Sequence, residues 1–185
     1  MIVRKERKEF IMVLLCNGVN FDLRSEREKL AIEEGFLQFL NTLKNHKAKI
    51  TANIDGLAAS AATIITSACD TVKMPKNALF MVHNPITFAY GNNQDMQKTL
   101  EMLNKVKNSI IETYLNKAKT DKETLSELMD NETWMSAEEA KEYGFIDEIL
   151  DENVEKEVIE NKLIINNMAF DISRFKNFKE KKIQE

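Results

Sequence analysis

Between Asn93 and Ala118 the apolar residues Met96, Leu100, Leu103, Val106, Ile110, Tyr114 and Leu115 recur at helical spacing among charged and amide side chains. A pattern that long predicts an amphipathic helix with one apolar stripe. Shorter elements alternate around it. Ile11 to Leu15, Asn17-Gly18 and the alternating Val19, Phe21 and Leu23 read as strand, tight turn and strand. Glu26 to Asn45 reads as an amphipathic helix, Lys49 to Ile54 as a strand, and Val72 to Met74 and Ala78 to Val82 as strands joined through Pro75-Lys76-Asn77. Lys122 to Met129 predicts a short helix, Ser136 and Glu139 form a capping-box pair for another that Gly144 closes, and Phe145 to Leu150 returns to strand. Strands and helices in alternation predict an α/β domain.

Composition narrows what such a domain does. The chain has 185 residues with 43% hydrophobic content, enough for one sizeable core. Its net charge of −4, from 26 basic and 30 acidic residues spread along the whole length, leaves no basic footprint for nucleic acid. Cys16 and Cys69 make no disulfide framework and have no metal-type spacing, which fits a reducing cytoplasm. The apolar run Phe10 to Cys16 is far too short to cross a bilayer, and the acidic Glu6 and Glu9 before it spoil a signal-peptide start, so it reads as a buried strand. No membrane partner is expected. The segment 151–185 is highly charged, with apolar islands at Leu163 to Ile165 and near Phe170 to Phe175. It reads as a solvated extension, or as one whose islands add an edge strand or touch a neighbouring subunit.

Asp55-Gly56 ends one strand, and the small-residue run Ala58-Ala59-Ser60-Ala61-Ala62 leads into a helix continuing through Ala68, with Ser60 in its first turn. A serine there lies beside free backbone N–H groups and the positive end of a helix dipole, where an oxyanion is stabilised, and the Ala61 N–H is one natural donor. The same run equally describes a tightly packed helix start. A serine nucleophile needs a base, and the chain has two histidines. His46 sits among lysines and reads as a surface residue. His83 ends an apolar strand where Asn84-Pro85 forces the chain out of regular structure, the kind of place at which a scaffold holds a working side chain. A third, acidic group should orient the imidazole, and Glu132 and Asp130 both stand in the loop before Thr133-Trp134-Met135-Ser136. On spacing alone each is also an ordinary solvated charge.

Asp55-Gly56-Leu57-Ala58-Ala59-Ser60-Ala61-Ala62 resembles the nucleophile motif of the Clp protease family. Met74-Pro75-Lys76-Asn77 with Met81-Val82-His83-Asn84-Pro85 resembles its histidine segment, and Trp134 to Ala140 with Tyr143-Gly144-Phe145-Ile146-Asp147 the segment after its acidic member. The similarity runs over about residues 36–150 and is greatest to phage-type members associated with capsid maturation, whose endings Phe170 to Phe175 also resemble. It implies a Clp protease-like domain over 1–150, with stacked β-sheets, surrounding helices and a long handle-like helix in an architecture shared with crotonases, followed by the extension 151–185. It further implies a serine endopeptidase acting through an acyl-enzyme without ATP hydrolysis of its own, Ser60, His83 and Glu132 serving as nucleophile, base and acid and the Ala61 N–H as oxyanion donor. No cofactor or metal is implied. Homo-oligomeric rings, polypeptide substrates such as capsid or scaffold proteins, and an AAA+ unfoldase partner left open complete the expectation. Two departures stand out. The usual third member is aspartate, and the family's Ser-Pro-Gly-Gly strand, source of a second oxyanion donor, is absent, since the family spacing lands near Leu30 and Ala31 in a divergent or truncated start, residues 1–35. The competing expectation is a catalytically impaired, ring-forming homologue; an enoyl-hydratase-like acyl-CoA enzyme is a more distant one, because the histidine segment matches peptidases.

Overall fold

The computed structural model describes residues 2–6, 9–13, 39–151, 153–165, 168–173, 175 and 177–178. The hairpin expected through Asn17-Gly18 and most of the helix expected over 26–45 lie outside these residues; 39–44 are helical. Strands β1 (Ile2–Glu6), β2 (Glu9–Val13), β3 (Lys49–Asn53), β5 (Thr71–Pro75) and β8 (Glu148–Leu150) form a five-stranded sheet in the order β1-β2-β3-β5-β8. β1 runs antiparallel to β2 and the remaining pairs are parallel. A second sheet has the order β4-β6-β7, from β4 (Leu57–Ala59), β6 (Leu79–Val82) and β7 (Thr133–Met135), and β9 (Lys156–Ile159), β10 (Lys162–Ile165) and β11 (Met168–Asp171) form a third in the order β11-β10-β9. The helices are α1 (Ala61–Thr66), α2 (Asn93–Leu115), α3 (Lys122–Asp130) and α4 (Ala137–Glu142). This is the mixed α/β architecture that the alternating pattern predicts.

β6 explains why the molecule has two apolar clusters. All four of its residues are buried. Successive side chains of a strand point to opposite faces, so Phe80 and Val82 join Ile50, Ala52, Val72, Tyr114 and Phe145 in the larger cluster, whereas Leu79 and Met81 join Leu57 and Trp134 in the smaller. The smaller cluster is covered from the other side by β9, β10 and β11. Val158, Leu163 and Phe170 face one another across these strands and belong to that cluster. The island Leu163 to Ile165 is thus the central strand of a separate sheet, and the island near Phe170 begins in β11, an edge strand of that sheet, so the segment is more than a solvated extension. The alternating burial of β10 is hidden in the sequence because Ile164, between the buried Leu163 and Ile165, is apolar as well.

Two of the helices start where their caps dictate. Asn92 opens α2 with a capping box completed by Asp95, and Ser136 opens α4 with Glu139 in the same arrangement. Ile111 and Tyr114 bury the C-terminal half of α2, and Thr63 Oγ1 meets Tyr114 Oη at 2.6 Å, tying α1 to it in the interior. Burial pushes the Tyr114 phenol well above its ordinary value, the hydrogen bond with Thr63 opposing only part of that, so it stays neutral as a partner for Thr63. Toward its N-terminus the apolar stripe of α2 is uncovered: Met96 and Leu100 are exposed, as are Ile86, Phe88 and Tyr90 in the segment leading to it. No helix of the described residues is long and apolar enough to cross a membrane.

Candidate active site

Leu57, Ala58 and Ala59 do not begin a helix as their composition predicts; they pair in parallel with Leu79, Phe80 and Met81. Alanine's helix preference is weak beside a full strand pairing that buries Leu57 and Ala58 against β6. Ser60 therefore stands just before the first helical turn, as the cap of α1, with its N–H donated to Met81 O at 3.1 Å. Because β4 and β6 are parallel and in register, their C-terminal ends emerge together and bring Ser60 beside His83, 23 residues on. Ser60 Oγ and His83 Nε2 lie 2.8 Å apart. Both residues are partly exposed.

The backbone at Ser60 is unusual, with φ 59° and ψ −125°. A non-glycine residue there carries strain of about 1–3 kcal/mol, the geometry of a nucleophile raised on a sharp strand-to-helix turn. A serine in this position ordinarily accepts a backbone N–H of its own helix. Ser60 makes no such side-chain cap; its carbonyl accepts Thr63 N–H at 3.0 Å and Thr63 Oγ1 at 2.6 Å, leaving the hydroxyl for His83. Ala61, exposed, follows as the first residue of α1.

β7 carries the third segment. It runs antiparallel to β6 with Val82 opposite Thr133, so the next step of the register sets Glu132 across from His83. At that step the chain turns: Glu132 has φ 46°, and its Oε1 accepts the backbone N–H of Asn177 at 2.9 Å. Among the described residues no hydrogen bond joins Glu132 to His83. Asp130 is engaged elsewhere, accepting Asn84 Nδ2 and Lys107 Nζ, both at 2.7 Å, on Oδ1. These hydrogen bonds, with Asn84 the largest influence, hold the Asp130 carboxyl below its usual range. His46 is exposed and its Nδ1 accepts Ala48 N–H at 3.1 Å, a local surface contact. Cys69 is no rival nucleophile: burial, opposed by Lys117 and reinforced by Asp70, pushes its thiol up to about 12.

The sequence reading missed the C-terminal segment near this site. Phe175 meets the His83 ring edge-on with centroids 6.1 Å apart, and Trp134 packs against both Phe175 at 5.4 Å and Phe178 at 4.7 Å. The only sequence signal was the pair of aromatics in a charged tail, which does not say what they cover.

A sequence model of the Clp protease family matches residues 32–153. The chain belongs to the Clp protease family. Similar curated proteins include the ATP-dependent Clp protease proteolytic subunit of Leuconostoc citreum strain KM20, 36% identical over 124 residues, which are 65% of this chain and 62% of that protein. The subunit of the same name from Streptococcus pneumoniae strain Hungary19A-6 is 34% identical over 121 residues, 63% of this chain and 62% of the relative. These matches span somewhat under two thirds of each relative's length; the family model ends at residue 153, before β9–β11, so their covering of Leu57, Leu79, Met81 and Trp134 lies beyond the region that it matches.

Proposed function

We propose that the chain is a serine endopeptidase, and the observation that carries this reading is the 2.8 Å approach of Ser60 Oγ to His83 Nε2 at the mouth of α1. His83 Nε2 takes the hydroxyl proton as Ser60 Oγ attacks the scissile carbonyl carbon, and the N–H of Ala61 stabilises the oxyanion. Collapse of the tetrahedral intermediate breaks the C–N bond as His83 returns the proton to the leaving amine. Water, deprotonated by His83, then attacks the acyl carbon, and the bond to Ser60 Oγ breaks as His83 returns that proton to the serine. Glu132 is the proposed orienting acid, since it lies one step beyond the Val82–Thr133 pair of β6 and β7, as His83 does, although its carboxylate accepts Asn177 N–H. This chemistry uses no nucleotide, metal or organic cofactor; ATP dependence in the relatives' names belongs to those proteins. Substrates are polypeptides in the cytoplasm, and the phage-type resemblance makes capsid or scaffold proteins the ones to try first.

Labelling with a fluorophosphonate probe tests the reading. A mass increase on the peptide carrying Ser60 is expected. Assembled, folded protein that takes up no probe would overturn it in favour of a ring-forming homologue impaired in catalysis, a reading favoured by the missing Ser-Pro-Gly-Gly strand and by the attachment of Glu132 to Asn177.

Assembly is proposed through the uncovered face of α2. Phe88 and Tyr90 are fully exposed, and Leu100 remains 53% exposed on a stripe that is apolar by pattern. Large contiguous apolar surfaces on soluble proteins mark contact sites, and copies of this chain in a stacked ring are the proposed partners. Leu100→Glu combined with Phe88→Ser is expected to reduce the mass seen by sedimentation to smaller assemblies without lowering helix content, whereas an unchanged mass would remove this face from the assembly.

A further inference from the structure

His83 is held from one side by β6, but the chain after it is nearly free of ties. Residues 83–90 have no regular structure before Asn92 caps α2, and Pro85 has no N–H to give. Among the described residues, no loop or turn backbone hydrogen bond involves residues 84–91. The side chain next to His83 supplies the anchor instead. Asn84 Nδ2 donates to Asp130 Oδ1 at 2.7 Å, and Asp130 is itself fixed by Lys107 Nζ of α2 at 2.7 Å and by Ser126 Oγ of α3 at 3.3 Å. The direction of the Asn84 amide follows from charge: its nitrogen faces a carboxylate, while its Oδ1 is buried without a hydrogen-bond partner among the described residues. Asp130 is also the last residue of α3, where the helix dipole disfavours a negative charge, so its ties to Lys107 and Asn84 offset an otherwise unfavourable position.

We infer that Asp130 is a positioning residue for His83: by holding Asn84 at the end of α3 it fixes the end of β6 and keeps the imidazole within reach of Ser60 Oγ. The inference rests on the peptidase reading for its consequence in catalysis, though not for its geometry. It also separates the two carboxylates before β7: Asp130, at the end of α3, acts through the neighbouring backbone, whereas Glu132 lies one step beyond the Val82–Thr133 pair.

The test uses the full chain and two readouts. For the rate of fluorophosphonate labelling at Ser60, Asp130→Ala and Asn84→Ala are each expected to slow the reaction about 10- to 100-fold, the penalty of a slightly misplaced reacting group. The double variant should be no slower than the worse single one, because both remove one tie. Asp130→Asn, which keeps an acceptor for Asn84, should recover most of the rate, and Lys107→Met, which leaves the Asn84 contact in place, should stay near the parent. Effects that multiply in the double variant, or a Lys107→Met rate as low as that of Asp130→Ala, would overturn the inference in favour of general loop stability. The second readout does not need activity. The chain has two histidines, so nitrogen-15 spectra of the imidazoles resolve His83 with His46 as internal control. Asp130→Ala should shift His83 and leave His46 alone. A His83 signal unmoved in a folded Asp130→Ala chain defeats the inference even if the parent proves unreactive, an outcome that by itself would defeat only the peptidase reading.

Discussion

A Ser60→Ala chain should hydrolyse an unfolded polypeptide on the order of 10⁶-fold more slowly than the parent, with His83→Ala close to it and the double variant no slower, because nucleophile and base act as one unit. Thermal stability should not fall as it usually does when a serine at a helix start is removed. Removing a capping serine ordinarily costs about 0.5–2 kcal/mol, yet Ser60 makes no side-chain cap, and its carbonyl contacts with Thr63 survive the substitution. The Ser60→Ala melting temperature is therefore expected to stay close to the parent's. Activity lost at constant stability would tie the defect to the hydroxyl itself. Hydrolysis continuing at the parental rate in purified Ser60→Ala would remove Ser60 from the reaction, and a large drop in melting temperature would instead assign it a structural task.

The residues of this pair were legible before the fold because each carries a local signal: a small-residue run around Ser60, and a strand-ending proline after His83. What joins them was less so. The parallel pairing of Leu57–Ala59 with Leu79–Met81 depends on a neighbour across the sheet, and an alanine-rich triplet read alone favours helix. β6 was readable as a buried strand since Leu79 to Val82 is apolar throughout, but that run does not disclose that its two faces serve different clusters. The tie from Asn84 to Asp130 spans 46 residues and involves two polar side chains that suit any loop equally well. Glu132 illustrates the same limit in reverse: its place in the family pattern was visible, whereas its positive φ belongs to the turn between α3 and β7 and its bond to Asn177 depends on where the C-terminal segment returns.

That returning segment leads to the second large effect. Truncation after Leu150 removes β9, β10 and β11 and uncovers Leu57, Leu79, Met81 and Trp134, which are 7%, 2%, 0% and 4% exposed in the intact chain. Returning a large apolar side chain to water costs about 1.5–3 kcal/mol, so four of them together lose about 6–12 kcal/mol, comparable to the whole stability of a typical domain at about 5–15 kcal/mol. Gly56 shows how closely the sheet is seated: a Cβ built there would come within 2.2 Å of Ile165 Cγ2. The truncated chain is expected to collect in the insoluble fraction or to melt without a cooperative transition while binding a hydrophobic dye, and Leu163→Ala in the full chain should cost about 2–5 kcal/mol in denaturant unfolding. The alternative, in which the islands mainly touch a neighbouring subunit, makes the opposite forecast: a truncated chain that melts cooperatively near the parental temperature but sediments as a smaller assembly. Since Leu163 and Ile165 are buried within the single chain, at 0% and 1% exposure, the loss should fall on folding first and on assembly only as its consequence.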